Sequence, residues 1–391
     1  MPPVEGRRAK QHRPPRKKAC KSCTRSKVRC GLERPTCSRC IALGRVCEYT
    51  TPNSVSRVSD ALQGQDAEGS LDTAILESPF LDSSLTSSSF TLDLANTDLV
   101  PNESADNIRD RWLRPYLFPL GREEVPKLYQ PFTLQFISRV LSTYPYRMLR
   151  DGDVPPIIHH AQVSSGTISP SLANCYTLVR MRVQAAPGSE AMVVDTVQTE
   201  MDRLAAEPSS LPDIDHLSAF QAYLIYALLM YVSPPTDLVL ITDRTMITLM
   251  EMAFRTARHG LISASELSRT KPTWESWIVA SAKRRAIYVM YLFSSLYNAE
   301  HSLPNFLSDE LRGVFVPEGK SLWEAGDRVY WDREYDMHLR EWEDGMLEIS
   351  ELWRSEETGS SRRRSRIERW VRTVDEFGMM LFSVCVHLHG C

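Results

Sequence analysis

Six cysteines in the first fifty residues repeat one spacing twice. Cys20, Cys23 and Cys30 read C-x2-C-x6-C, and Cys37, Cys40 and Cys47 read it again, each 17 residues after its counterpart. A structural zinc ion takes four ligands in a tetrahedron, with thiolates at ~2.3 Å. Six thiolates are too many for one ion and too few for two separate ones. The count closes if two sulfurs are each shared, so a compact cluster of two Zn2+ and six cysteines is the simplest object that fits. A disulfide framework also uses even numbers of cysteines, but it belongs to short secreted chains. The start here is basic and Pro-rich, without the apolar run of a signal peptide. A RING or LIM arrangement needs eight ligands, and the nearest histidine, His12, lies outside the pattern. Cys175, Cys385 and Cys391 are not spaced as ligands and read as buried apolar residues.

Charge points the module at a polyanion. The first fifty residues hold 14 Lys and Arg against 3 acidic residues. Two Zn2+ with six thiolates subtract little from that excess. Neutralised phosphates release counterions, which provides sequence-independent affinity with strong salt dependence. Between Cys23 and Cys30 the chain reads T-R-S-K-V-R, with nothing to break a helix. Metal ligation on one side directs Arg25, Lys27 and Arg29 outward in some combination. Arg or Lys to guanine O6 and N7 is the commonest base contact in a major groove. The second repeat, I-A-L-G-R-V between Cys40 and Cys47, is mostly apolar with one cation, Arg45. The first repeat therefore reads as the reader and the second as its structural partner. Pro35 lies in the joining loop, where a fixed φ helps turn the chain. The run Arg7 to Lys18 has no apolar periodicity and reads as a disordered phosphate-contacting arm and nuclear-localisation signal.

The stretch C-K-S-C-T-R-S-K-V-R-C-x6-C-S-R-C-I-A-L-G-R-V-C, Cys20 to Cys47, resembles the fungal Zn2Cys6 binuclear zinc-cluster transcription factors. The resemblance implies that Cys20 and Cys37 bridge the two zincs. It implies that Lys27 contacts the bases of a CGG triplet; the preceding position, often Lys or Arg in the family, is Ser26 here. The expected zinc ligands are Cys20, Cys23, Cys30, Cys37, Cys40 and Cys47. The expected DNA contacts are Lys18, Lys21, Arg25, Lys27 and Arg29.

Residues 51 to 110 hold 11 acidic and 2 basic residues among serines and scattered apolar side chains. Such a segment cannot bury enough surface to fold alone. It is either a flexible linker or an acidic-hydrophobic activation segment. No sustained heptad follows the cluster, so a monomer and a homodimer formed through the larger domain both stay open.

From about residue 111 the chain reads as a large all-α domain. Apolar residues recur at helical spacing over Phe132 to Leu141, Leu172 to Val183, Glu190 to Leu204, Leu217 to Val232, Met246 to Arg258 and Trp274 to Tyr297. Asp243 is the expected N-cap of its helix and Gly260 its stop. Leu217 to Val232 is very apolar but falls short of the ~20 residues that span a bilayer. Met379 to Leu388 is an apolar run close to Cys391, so either that helix packs back on the core or the chain is truncated. The segments Tyr144 to His159, the stretch near Trp274, and Ser321 to Ala325 resemble, more weakly, the regulatory regions of short zinc-cluster factors that switch on secondary-metabolite gene clusters.

No G-x-S-x-G, G-x-G-x-x-G, P-loop or H-E-x-x-H occurs. His159 with His160, and His387 with His389, read as packing or surface histidines. Arg362 to Arg366 is a compact basic patch, either a localisation or phosphate element or an exposed helix start. Asp336, Glu341 and Glu343 read as a solvated face. Four units are expected: a basic disordered arm over 1–19, a DNA-binding zinc cluster over 20–47, an acidic linker or activation segment over 48–110, and an all-α regulatory domain over 111–391. The expected function is a nuclear, sequence-specific regulator of RNA polymerase II transcription, not an enzyme. It would bind two Zn2+, GC-rich double-stranded DNA with CGG-like triplets, and coactivators. The alternative is a zinc-dependent protein- or RNA-interaction module, against which the cluster's lack of aromatic residues counts; Tyr49 lies just beyond it.

Overall fold

The structure is a computed structural model that describes residues 19–25, 29–30, 37–42, 47, 92–102, 105–118, 126–164, 168–232, 240–306 and 308–390. The chain divides into two compact units, Met1–Leu85 and Thr86–Cys391. Among the described residues there are helices, 3-10 turns and three isolated β-bridges, and no strand. The first unit has two short helices, α1 (Lys21–Arg25) and α2 (Ser38–Ala42).

The regular elements of the second unit, among the described residues, are helices. Its elements are α3 (Ala105–Leu117), α4 (Pro131–Leu141), α5 (Tyr144–Arg147), α6 (Ala161–Ser164), α7 (Pro170–Val183), α8 (Glu190–Ala205), α9 (Asp213–Val232) and α10 (Asp243–Arg258). There follow α11 (Ala264–Leu267), α12 (Trp274–Glu300), α13 (Lys320–Trp323), α14 (Arg328–Glu341), α15 (Ser361–Val371) and α16 (Glu376–His389). Helices α4, α7, α8, α9, α10 and α12 fall where the 3.6-residue apolar period places them, while α3 and α14 lie outside those segments. The centre is α9, buried from His216 to Met230 and packed by α5, α7, α8, α10 and α12. No helix among the described residues is long and apolar enough to cross a membrane. The C-terminal run packs back on the core: Phe377, Met380, Leu381, Val384 and Cys385 of α16 are buried, and its His387 Nδ1 lies 3.3 Å from Thr133 Oγ1.

Local chemistry sets the helix ends, with one correction. The N-cap of α10 is Thr242, not Asp243. Thr242 has the extended backbone of a cap, and its hydroxyl accepts the Thr245 amide while the Thr245 hydroxyl accepts the Thr242 amide. Asp243 is already helical, and its carboxylate accepts the Tyr297 hydroxyl at 2.7 Å. Past the other end of α10, Gly260 has φ +107, which glycine alone adopts without strain.

The folded unit also begins earlier than residue 111. Residues 92–102, the end of the acidic segment, lie against the helices as a strap. The Asp98 amide donates to Ser276 Oγ at 3.1 Å, the Val100 amide to the Ile262 carbonyl at 2.9 Å, and the Ala264 amide to the Asp98 carbonyl at 3.0 Å. Leu92, Leu94 and Leu99 cover a cluster that contains Trp274, Trp277, Trp323 and Trp331. Three leucines and a row of backbone bonds are enough to hold a segment whose composition alone would leave it unfolded.

Two charged patterns resolve differently from their appearance in the sequence. Lys283, Arg284 and Arg285 are consecutive on α12 and all buried. At 100° per residue they leave the helix in three directions. Lys283 Nζ reaches Asp213 at 2.5 Å and the Gly260 carbonyl at 3.1 Å. Arg284 pairs with Glu266 at 2.9 Å and with Glu318. Arg285 pairs with Asp375 at 2.6 Å and stacks 4.0 Å from the Trp323 ring centre. Burial works against ionisation of Glu318, but Arg284 and Arg285 outweigh it and hold its carboxyl below the usual range. In the patch Arg362 to Arg366, Arg363 and Arg366 are buried: Arg366 binds Asp344 and Glu351, each at 2.8 Å, and Arg363 donates to the Glu351 and Trp353 carbonyls. Half of that patch is therefore an anchor between α15 and the 344–353 loop. His159 is fully buried among Trp274, Trp277 and Trp323.

Candidate metal centre and nucleic-acid interface

Among the described residues of the first unit the buried apolar cluster consists of cysteines: Cys20, Cys23, Cys37 and Cys40 are buried, and Cys30 and Cys47 pack against them. The internal repeat survives as geometry. Cys20 and Cys37 sit immediately before α1 and α2. The Thr24 amide donates to the Cys20 carbonyl at 3.0 Å, and 17 residues on the Ile41 amide donates to the Cys37 carbonyl at 3.1 Å. The Cys20 amide lies 3.5 Å from Cys30 Sγ, and the Cys37 amide 3.3 Å from Cys47 Sγ.

The six sulfurs form two groups of four. One is Cys20, Cys23, Cys30 and Cys37; the other is Cys20, Cys37, Cys40 and Cys47. Within each group all sulfurs lie within 4.8 Å of one another. Cys20 and Cys37 belong to both. Thiolates at ~2.3 Å from a tetrahedral zinc stand ~3.8 Å apart. The distances Cys20–Cys37, Cys20–Cys40 and Cys23–Cys37 are 3.9, 3.8 and 3.8 Å. The donor set and its spacing therefore fit two zinc ions that share two thiolates.

Electrostatics agrees. The Cys23 amide, donating at 3.4 Å, holds the Cys20 thiol below its ordinary value, and the Cys40 amide brings Cys37 down to about 6. Burial pushes Cys23 up; against the Cys37 amide, burial and the neighbouring thiols push Cys47 up to about 12. Six thiols this close cannot all ionise unless positive charge is added among them, which a metal supplies. The two shared sulfurs, Cys20 and Cys37, are held below the ordinary thiol value, whereas Cys23 and Cys47 are pushed above it.

Around the sulfurs, Lys21 and Arg25 of α1 and the nearby Arg29 are exposed. Lys18, Lys27 and Pro35 lie outside the described residues, as do the rest of the basic arm up to residue 18 and the acidic segment from 48 to 91. Arg39, exposed on α2, is a surface cation that reading the second repeat as apolar passed over. Its signal was its place inside the C-x2-C turn, where the flanking ligands point inward. Ile41 is 67% exposed, so this apolar residue of the second repeat is not packed away.

This geometry defines a binuclear zinc-cluster module. Residues 18–56 match the family described as the fungal Zn(2)-Cys(6) binuclear cluster domain. The chain carries that domain, and the domain binds two zinc ions. Among similar proteins, the Trypacidin cluster transcription factor of Aspergillus fumigatus is 49% identical over 43 residues, 11% of each chain. The Transcriptional regulator AacuR of Aspergillus aculeatus is 45% identical over 49 residues, 12% of this chain and 14% of its own. These matches span only about a seventh or less of the relatives' lengths. The Transcription factor gsfR2 of Penicillium aethiopicum is 20% identical over 358 residues, 82% of this chain and 83% of its own. No solved structure matches the chain.

Proposed function

We propose that this protein is a sequence-specific DNA-binding transcription regulator that acts in the nucleus on RNA polymerase II genes of a secondary-metabolite cluster. The observation that carries the reading is the pair of four-sulfur groups that share Cys20 and Cys37, set among the exposed cations Lys21, Arg25 and Arg29. Similarity to proteins named as cluster transcription factors supports the setting. Bound zinc supplies the cross-link that ties the two repeats into one rigid unit. All six cysteines serve as ligands, with Cys20 and Cys37 bridging. With that side of the chain turned inward, Lys27 reads the bases of a CGG-like triplet. Arg25 and Arg29 help it to read the triplet, and Lys18 and Lys21 add further DNA contacts. The basic arm adds salt-sensitive affinity. The acidic segment contacts coactivators, and the helical unit regulates without catalysis.

The test is selection from random duplex DNA by the full-length, zinc-loaded protein at near-physiological salt. Paired CGG-like triplets at one spacing would establish a dimeric reader, and a single triplet a monomeric one. Binding that merely vanishes as salt rises, with no enriched sequence, would overturn the reading.

A further inference from the structure

Lys127 lies in the stretch that leads into α4, and its two ends are in different company. Its backbone amide donates to the Asn305 carbonyl at 2.6 Å. The residue also borders a cavity of about 50 Å3 between α12, α16 and the 3-10 turns Asp309–Leu311 and Ile349–Leu352. The wall on the α16 side feels its charge. Cys385 comes first among its electrostatic neighbours, and Lys127, after burial and ahead of Arg354, holds the His389 imidazole down to about 4. Cys385 and His389 both line the cavity, so the ammonium faces it.

Most of the remaining wall is apolar, from Leu292, Leu311, Trp353, Leu381, Val384 and Leu388. The tyrosine hydroxyls on it are already partnered. Tyr288 donates to the Phe315 carbonyl at 2.6 Å, the Tyr129 hydroxyl meets Ser295 Oγ at 2.9 Å, and that of Tyr291 accepts Trp112 Nε1. His389 is uncharged at neutral pH, which leaves Lys127 as the formal charge of the lining.

That charge is unanswered. Lys127 Nζ has no hydrogen bond or ion pair among the described residues, yet it is not sealed off, and the residue is half-buried. The carboxylates whose field reaches it, Glu310 and Asp309, are committed elsewhere. Glu310 pairs with Arg111 at 3.3 Å and accepts Trp112 Nε1 at 2.8 Å, and Asp309 pairs with Arg312 at 2.9 Å. Burial therefore outweighs Cys385, Glu310 and Asp309 and lowers the amine below the ordinary lysine value. A cation partly withdrawn from water without a counter-ion costs free energy that a ligand's carboxylate would recover. Size narrows the class further. A bound water needs ~10–15 Å3 of cavity, so this one takes a molecule of about four or five non-hydrogen atoms.

We propose that this cavity binds a short-chain monocarboxylate, with its carboxylate paired to Lys127 Nζ and its alkyl end against the leucines of α16. The site goes beyond DNA reading and does not depend on it, because its occupancy is measured on the protein alone.

The experiment is calorimetric titration of the full-length, zinc-loaded protein with propionate, propionamide and chloride. The expected result is one equivalent of bound propionate, roughly tenfold or more tighter than the uncharged amide and than chloride, which has no alkyl end. In the pH range where the free amine begins to lose its proton, below that of an ordinary lysine, binding should take up a proton. The heat then depends on the ionisation enthalpy of the buffer, and binding weakens as pH rises further. Lys127→Met, which removes the charge at similar length, should abolish binding at unchanged far-ultraviolet circular dichroism. Equal binding of propionate and propionamide would overturn the role of the ammonium. Chloride as tight as propionate would overturn the carboxylate class in favour of a simple anion. Propionate binding without proton uptake, or unchanged in Lys127→Met, would place it on an ordinary surface cation and overturn the site, as would absence of binding. The probe comparison and the proton uptake need no variant, so misfolding of Lys127→Met would not void them.

Discussion

At the scale of single residues, one cation carries the expected base reading and another carries part of the core. Lys27 falls in the sequence between the ligand cysteines Cys23 and Cys30, and the resemblance assigns it the base contact. If it reads bases, Lys27→Ala should lose discrimination for a CGG-like triplet by about 1–3 kcal/mol. Competition binding with matched and mismatched duplexes measures this, and an unchanged preference would remove Lys27 from the reading role. Arg284 is the reverse case. It is buried between Glu266 and Glu318, and it also donates to the Leu261 carbonyl at 2.8 Å. Arg284→Met would leave two buried carboxylates without their cation. The expected loss is about 3–5 kcal/mol, the usual cost of breaking a buried pair from one side. Urea unfolding of the full chain reads it, and a loss below about 1 kcal/mol would show that the carboxylates find other partners.

Among the elements, the strap of residues 92–102 is held through a backbone contact that depends on one glycine. A Cβ at Gly260 would stand 2.3 Å from the Val100 carbonyl oxygen, and φ there is +107. Both the contact and the backbone angle exclude a side chain. Gly260→Ala should therefore loosen the strap and destabilise the unit, by about 1–3 kcal/mol for the strained backbone alone. Hydrogen exchange should show the Val100 amide, bonded to Ile262, losing protection before the amides of α9 do. Exchange of both together would mean that the strap and the core open as one. The same region shows how an element can be missed in a sequence: residues 92–102 have no sustained helical or strand period and end no helix, and only the surface they meet makes Leu92, Leu94 and Leu99 sufficient.

For the whole molecule, acid is the condition to which the helical unit should respond. Burial first, then His160 and Arg285, keep His159 well below the usual histidine value, and burial holds His338 down to about 4. His159 Nδ1 also accepts the Ala161 amide at 3.2 Å, which requires it to be unprotonated. Both groups titrate near ~6.5 in an unfolded chain. Below that value the unfolded state takes up more protons than the folded one. Their contribution is thus complete above about pH 6.5 and declines as pH falls toward the folded values, by up to about 1.4 kcal/mol per pH unit for each. Calorimetric Tm values should drop between pH 7 and 5, and His338→Gln should flatten the slope. Metal removal should act elsewhere. A zinc chelator should abolish specific DNA binding and leave far-ultraviolet ellipticity almost unchanged, since the long helices lie in Thr86–Cys391 and both four-sulfur groups lie in Met1–Leu85. A large loss of ellipticity would show that the helical unit needs the metal.

The cluster and the long helices could be read from the residues because both depend on short-range relations. Zinc ligation is set by spacing within one turn and by a coordination number, so the ligand set and the sharing of two sulfurs follow from counting. Helices follow from a 3.6-residue period and from caps within three residues of the helix end, which is why α4, α7, α8, α9, α10 and α12 were legible and why the cap of α10 was missed by a single residue, whereas α3 and α14 were not read. The burial of Lys283, Arg284 and Arg285, the anchoring of Arg363 and Arg366, the strap and the cavity at Lys127 were decided only in three dimensions. Each depends on partners well away along the chain, such as Asp375 for Arg285, and a charge has no period that announces whether its neighbour will be water or a buried carboxylate.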